Sequence, residues 1–337
     1  MDGDMSVPRI YGSTPTLFGV PLAQSREDLQ GVDVAFFGVP WRAPSPDLRI
    51  GSVQPNYEGT LLTPSYFRLN SLRYGSYLPE LDLDVFESVR VVDRGDVDVR
   101  QDMAQTLKSV EVEVGAILDA GAIPFTMGGN AGPSTYPVVK VIGERSDGPV
   151  AVLNFDAHAD NQRGDWQDDD PRQPNWGSAW IWRILGLPGI DPRRYYHIGL
   201  RGPRNDRKTF ARFVERGAMR ENIQTYRDLK RARVEGYDAW ARKYAGTVAD
   251  GAARVWIAID PDVLNLDANP DWVDEPLGPT SEEVIELVYQ TVRAAGRERF
   301  AGLSFMATPY NATALHSILI YVLLYALAGM AESDGTR

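Results

Sequence analysis

The stretch Ala151-Val-Leu-Asn-Phe-Asp156-Ala-His158-Ala-Asp160 is an apolar run that ends in two aspartates with a histidine between them. This pattern predicts a buried β-strand whose carboxyl end carries polar side chains. Alternate residues of a strand point to opposite faces, so Asp156, His158 and Asp160 should share one side as the strand runs into its loop. Carboxylate and imidazole groups aimed at one point suit a divalent metal such as manganese, nickel or zinc. The alternative is that His158 caps a loop and both aspartates are solvated.

Short β-branched runs alternate with longer amphipathic runs along the rest of the chain. Val32–Gly38, Ala122–Met127 and Arg254–Ile259 are predicted strands, whereas Ala104–Ala120 has apolar residues at helical spacing. Eight or so strands separated by helices indicate an α/β fold with a parallel sheet covered on both faces. Because no linker or repeat interrupts this pattern, we predict a single domain over residues 1–337, with an N-terminal extension over about residues 1–30.

The composition excludes several classes of protein. The 337 residues carry a formal net charge of -11, which argues against binding to nucleic acid. The chain has no cysteine, so disulfides and thiolate ligands are excluded, and we expect a cytoplasmic location. The most apolar segment, Ala314–Met330, is interrupted by His316 and Ser317, so we predict a buried C-terminal helix and no membrane span.

A second acidic motif follows another predicted strand. Asp260-Pro-Asp262 comes directly after Ile259, and sites in parallel sheets lie at the carboxyl ends of the strands. Its two carboxylates should therefore meet the first motif. Carboxylates within about 4 to 6 Å of one another raise each other's pKa unless a cation neutralises them. A metal is the simplest such cation, and a buried arginine, Arg163 or Arg201, is the alternative.

The two motifs resemble those of the ureohydrolases, the family of arginase, agmatinase, guanidinobutyrase and formimidoylglutamase, which carry Asp-Ala-His-x-Asp and Asp-x-Asp at two strand ends. Three further segments are similar to the family's sequences: Gly59–Arg68, His197–Gly202 and Glu275–Thr280. The resemblance implies a three-layer α/β/α sandwich with an eight-stranded, mostly parallel sheet. It also implies that a metal-bridging hydroxide attacks a guanidinium or related carbon.

Three of the departures from the family pattern change residues of the site. Gly128–Gly132 reads Gly-Gly-Asn-Ala-Gly where the family has Gly-Gly-Asp-His-Ser, so Asn130 and Ala131 replace an aspartate and a metal-binding histidine. Trp176 stands where the family has a second characteristic histidine, and Met306 stands where it has a glutamate that faces the substrate. The resemblance therefore implies a degenerate site.

The two metal positions implied by the resemblance are affected differently. One would keep Asp156, His158, Asp260 and Asp262, which could hold one divalent ion, nickel or manganese. The other would keep only Asp156, Asp160 and Asp260 and is expected to be empty. Because both cations of a two-metal site activate the nucleophile, we expect the chain alone to be inactive or weakly active.

Two functions remain open. In the first, the chain is an accessory subunit that assembles with an active ureohydrolase homologue in a trimer or hexamer and acts on a small guanidine compound. It would then resemble the bacterial metformin hydrolases, nickel-dependent hetero-oligomers of two ureohydrolase-like chains. In the second, it is a free-standing hydrolase of an amidine or guanidino compound with a remodelled one-metal site. The tryptophans at positions 166, 176, 180 and 182 would then line a pocket, although such spacing is also typical of a core helix.

Overall fold

A computed structural model describes residues 15–41, 57–100, 102–129, 131–162, 176–267 and 275–334. The strands, in chain order, are β1 (Val34–Val39), β2 (Tyr77–Leu78), β3 (Leu83–Asp84), β4 (Val91–Asp96), β5 (Ile123–Gly128), β6 (Val150–Phe155), β7 (Ile190–Leu200), β8 (Ile223–Thr225), β9 (Arg254–Ile259) and β10 (Phe300–Phe305). The helices are α1 (Thr63–Ser71), α2 (Val85–Ser88), α3 (Met103–Asp119), α4 (Ala131–Arg145), α5 (Trp176–Ile184), α6 (Thr209–Glu215), α7 (Tyr226–Glu235), α8 (Tyr237–Ala249), α9 (Ser281–Arg299) and α10 (Thr313–Asp334). Short 3-10 turns cover Leu17–Gly19, Glu27–Leu29, Tyr57–Leu62, Arg220–Asn222 and Pro261–Val263.

Eight of the strands form one parallel sheet in the order β4-β1-β5-β10-β9-β6-β7-β8. The short strands β2 and β3 form a separate antiparallel hairpin. Strand β6, which precedes the first acidic motif, is buried along its whole length, because a central strand of a parallel sheet is covered on both faces. The predicted eight-stranded α/β sandwich is therefore confirmed.

Two hydrophobic clusters lie on opposite faces of the sheet. Along β6, Ala151, Leu153 and Phe155 belong to one cluster, while Val150 and Val152 belong to the other. The first cluster packs under α1, α8, α9 and α10, and the second under α3, α4, α5 and α6. Each apolar strand thus contributes side chains to both hydrophobic clusters, because alternate residues point to opposite faces of the sheet.

Helix α10 confirms the prediction of a buried C-terminal helix. It is long and apolar enough to cross a membrane by composition, yet 67% of its most apolar window is buried inside the protein. One expected helix is wrong: the pattern over residues 227–244 predicts a continuous helix, but α7 and α8 are separate. Gly236 lies between them with φ 101°, a conformation that ends a right-handed helix.

Candidate metal centre

The four central strands end at one level on the carboxyl edge of the sheet. Where these four strands pair with one another, the last paired residues are in register, and they are Met127 of β5, Phe305 of β10, Ile259 of β9 and Phe155 of β6. The residues that follow therefore form a row across the sheet, composed of Gly128, Met306, Asp260 and Asp156. Backbone hydrogen bonds continue one step beyond the strands, from the Met306 amide to Ile259 and from the Asp260 amide to Phe155. Both acidic motifs accordingly meet at this edge.

Asp156, His158 and Asp262 form the tightest group of ligand-type side chains in the described part of the chain. One donor atom from each lies within 4.8 Å of the others. His158 Nδ1 is 2.8 Å from Asp262 Oδ2 and 3.8 Å from Asp156 Oδ1. The His158 amide donates to Asp156 Oδ1 at 2.6 Å, so the chain turns sharply after β6 and brings the imidazole back over the carboxylate. A turn, and not continued strand alternation, places these two side chains together.

Burial and mutual repulsion set the protonation of the group. Burial, followed by the charges of Asp160, Asp262 and Asp260, raises the pKa of Asp156 well above its ordinary value. Burial opposes the protonated form of His158, but the Asp262 carboxylate outweighs it and raises the pKa of His158 to about 9. Burial also disfavours ionised Asp262, yet His158 lowers its pKa to about 2. Without a metal, His158 and Asp262 therefore form an ion pair, and the surroundings of Asp156 favour its protonated form.

Asp160 and Asp260 lie on the same edge of the sheet with their carboxylates engaged locally. Asp160 Oδ2 accepts a hydrogen bond from Trp180 Nε1 at 3.1 Å, and burial raises the pKa of Asp160 to about 7. Asp260 Oδ1 accepts from the Asp262 amide at 3.0 Å, and burial raises the pKa of Asp260 well above its ordinary value. Both carboxylates are close enough to affect the pKa of Asp156, so a role as metal ligands stays a prediction for them.

The group of Asp156, His158 and Asp262 fits a divalent metal. Asp156 Oδ2 and His158 Nε2 are buried and have no hydrogen-bond partner among the described residues. A buried polar atom without a partner is costly, and Asp156 is fully buried. One nitrogen and several carboxylate oxygens form a donor set that manganese, nickel or zinc accepts. A cation at this place would remove the repulsion that raises the carboxyl pKa values.

Arg201 does not neutralise the aspartates by direct contact. Its guanidinium donates to six backbone carbonyls, which belong to Gly199, Asp262, Val263, Leu264, Glu275 and Pro276. It thereby ties the end of β7 to the segments around Asp262 and Glu275. The other arginine considered from the sequence, Arg163, lies outside the described residues. Arg201 thus builds the loops of the site and leaves its carboxylates available.

Two polar residues that the sequence analysis did not assign to the site hold its loops. Asn205 accepts from the Ala159 amide at 2.9 Å and donates to the Ala157 carbonyl at 3.0 Å, so it fixes the turn that carries His158. The sequence predicts a helix from Asn205, whereas α6 begins at Thr209 and leaves Asn205 free for this contact. Fully buried His197 donates from Nε2 to the Asp156 carbonyl at 2.9 Å, while Tyr195 OH lies 2.8 Å from its Nδ1. Burial lowers the pKa of His197 to about 4, so it acts as a neutral support.

The substituted positions are apolar where the structure describes them. Ala131 begins α4 and is 5% exposed, and Met306 is fully buried in the hydrophobic cluster that also contains Trp180. Neither side chain carries a donor for a metal or a guanidinium. Asn130 and the side chain of Trp176 lie outside the described residues. Trp180 is fully buried and packs edge-on against Trp256 at 6.2 Å, so it belongs to the core and not to a pocket.

Comparison with known proteins identifies the family. The arginase family model matches residues 32–307. The chain belongs to the arginase family. It is 30% identical to an agmatinase of Chromobacterium violaceum over 298 residues, which are 85% of this chain and 82% of that protein.

Solved structures of arginase-family proteins share the fold. The formimidoylglutamase of Bacillus subtilis superposes with a TM-score of 0.74 at 23% identity and covers 96% of both chains. The formiminoglutamase of Trypanosoma cruzi, solved with Mn²⁺, superposes with a TM-score of 0.73 at 19% identity and covers 95% of this chain and 99% of that one. The ureohydrolase resemblance is therefore confirmed: the chain is an agmatinase-like member of the arginase family with a cluster that can hold a metal.

Proposed function

We propose that this chain is a non-catalytic or weakly catalytic ureohydrolase subunit that works with an active homologue in a hetero-oligomer. The substrate of the complex would be a guanidine or biguanide compound whose C–N bond is hydrolysed, and the complex would then be similar to the bacterial metformin hydrolases. One observation carries the proposal. The strand-end row keeps carboxylates on β6 and β9, whereas its β10 member is the fully buried Met306 and Ala131 follows β5 without a donor atom.

In this proposal the cluster binds a metal, while the described residues Ala131 and Met306 supply no group for the other tasks of a hydrolase. Asp156, His158 and Asp262 would hold one ion, manganese or nickel, with Asp260 and Asp160 beside it. A bound divalent ion supplies a more acidic water and polarises a nearby carbon–nitrogen centre. Orienting a guanidinium also needs a carboxylate. At the position where the family resemblance implies a glutamate, this chain has the thioether of Met306. Several independent losses of this kind are tolerated when another subunit supplies the catalysis.

The second candidate is a free-standing hydrolase that uses the single metal. The pairing of His158 with Asp262 favours it, because a compact set of one imidazole and neighbouring carboxylates is enough to bind one ion. Its substrate would be an amidine or guanidino compound that does not need a carboxylate at position 306.

Purification of the chain alone and together with an active ureohydrolase from the same genome distinguishes the two functions. Metal content would be measured by mass spectrometry. Hydrolysis would be assayed with agmatine, guanidinobutyrate, arginine and metformin as substrates. We expect about one metal or less in the isolated chain, negligible turnover, and stable co-purification with the homologue. Two metals and strong turnover in the isolated chain would refute the accessory role.

A variant of this chain tests what its own cluster contributes to the complex. Asp262→Asn removes the partner of His158, and exposed Asp147→Asn is the matched control. We expect Asp262→Asn to lose metal from this subunit while the complex still assembles and turns over. Loss of all turnover in the complex, with assembly intact, would place the reaction in this subunit and favour the second candidate.

A further inference from the structure

A buried glutamate lies beside the free nitrogen of the candidate ligand histidine. Glu275 Oε1 is 3.8 Å from His158 Nε2, on the opposite side of the ring from Asp262. Glu275 is 4% exposed, and His158 Nε2 is buried without a hydrogen-bond partner among the described residues. The distance is too long for a hydrogen bond, but a small rotation of either side chain would close it.

Gly202 leaves the space that the Glu275 carboxylate occupies. A Cβ added to Gly202 would overlap all three atoms of that carboxylate, and φ at Gly202 is 81°, where a side chain is disfavoured. The backbone carbonyl of Glu275 also accepts from Arg201, which fixes this segment against the end of β7. The segment after β7 therefore both leaves room for the Glu275 side chain and fixes the Glu275 backbone, and the carboxylate is not on an open surface.

We propose that Glu275 is a positioning residue for His158. Its carboxylate accepts a hydrogen bond from the Nε2–H group and holds the ring so that Nδ1 faces the cluster of Asp156 and Asp262. Ligand histidines commonly donate their second ring nitrogen to a carboxylate, which fixes the tautomer and strengthens the ligand. The residue acts through His158 and is not itself among the three grouped donors. This inference rests on the single-metal cluster of the proposed function, and it does not depend on a partner subunit or on any substrate.

Metal titration of the full-length chain tests the inference directly. Calorimetry with Mn²⁺ and with Ni²⁺ would compare the wild type, Glu275→Gln and the exposed control Glu282→Gln. We expect Glu275→Gln to weaken metal binding about 10- to 100-fold, the range seen when such outer partners are removed. Glu282→Gln should leave the affinity unchanged.

Two further measurements separate positioning from a merely structural role. Thermal unfolding in EDTA should be nearly the same for the wild type and Glu275→Gln, while the rise in Tm on adding Mn²⁺ should be smaller for the variant. Gly202→Ala should also weaken metal binding, because it displaces the carboxylate. When Glu275→Ala has already removed that carboxylate, Gly202→Ala should have little further effect on metal affinity.

The outcomes are distinguishable. Wild-type affinity for both metals in Glu275→Gln would overturn the role of Glu275 and leave the metal cluster intact. No binding of either metal to the wild type would overturn both the cluster and this inference. Additive losses in Glu275→Ala and Gly202→Ala would also contradict it, because the two substitutions would then act through different contacts.

Discussion

Replacing Asp160 with asparagine should stabilise the metal-free chain, and the stabilisation should grow as the pH rises. Burial raises the pKa of Asp160 to about 7, so the folded state keeps a proton that the unfolded state releases near pH 4. Between these values the folded chain binds more protons than the unfolded chain, and its stability falls with increasing pH. Asparagine does not ionise, and its side-chain oxygen can still accept from Trp180.

The size of the effect follows from the pKa. A shift of about three units corresponds to about 4 kcal/mol when the group is fully shielded. Part of the Asp160 side chain is exposed to solvent. Solvent screening therefore reduces the expected gain in stability to about 2 kcal/mol at pH 8. The gain should be close to zero at pH 4 and should level off above pH 7.

Urea unfolding in EDTA at pH 4, 5, 6, 7 and 8 measures this gain, with Asp147→Asn as an exposed control. Raising the pH from about 6.5 to 9 should lower the wild-type stability further, because His158 has a folded pKa of about 9 and its ion pair is lost as the histidine deprotonates. With Mn²⁺ present, the wild type should become more stable than Asp160→Asn. The metal stabilises the folded state that binds it, and the ionised Asp160 then faces a cation. A gap between Asp160→Asn and the wild type that is the same at pH 4 and pH 8 would refute the reasoning.

Three other variants test the site, its supporting turn and a buried ion pair elsewhere in the sheet. Asn130→Asp combined with Ala131→His should raise the metal content without restoring full hydrolysis, and unchanged metal content by mass spectrometry would count against the assigned position. Arg68→Met should lower the free energy of unfolding by about 3 to 5 kcal/mol, because fully buried Asp93 loses contacts of 2.7 and 3.0 Å to that guanidinium; a loss under 1 kcal/mol in urea unfolding would contradict this. Asn205→Ala should weaken Mn²⁺ binding several-fold in calorimetry, because the turn that carries the ligand histidine loses two hydrogen bonds. Unchanged affinity would show that the turn keeps its conformation without Asn205.

The fold could be predicted because its signals are local and repeated. Each central strand is a short apolar run, such as Val150–Phe155, and helices follow with their own spacing. The break at Gly236 could not be predicted from the same signal, because α7 and α8 both carry helical patterns and one glycine decides between one helix and two. The sequence also gives no strong indication of the two-residue strands of the β2–β3 hairpin.

The candidate site could be predicted in part. The meeting of Asp156, His158 and Asp262 follows from the rule that parallel strands end at one edge. The place of Glu275 does not follow from any strand, since its segment is held by the contacts that Arg201 makes with backbone carbonyls. The contact of Asn205 could not be predicted from the sequence either. Its polar side chain favours a helix start, yet it is hydrogen-bonded to the turn after β6.

The metal-free site shows how the fold accommodates its buried acidic groups together with apolar side chains at positions 131 and 306. Repulsion among four aspartates would destabilise the sheet edge if all were ionised, but His158 pairs with Asp262, and burial raises the pKa values of Asp156 and Asp260 and so favours their neutral forms. The apolar side chains of Ala131 and Met306 join the cluster that packs under α4 and α5, so both positions contribute buried apolar contact instead of an unpaired charge. Alanine and methionine at these two positions therefore place no uncompensated charge in the core. The proposed accessory role requires this fold for assembly and not for turnover, and apolar side chains at both positions are compatible with that requirement.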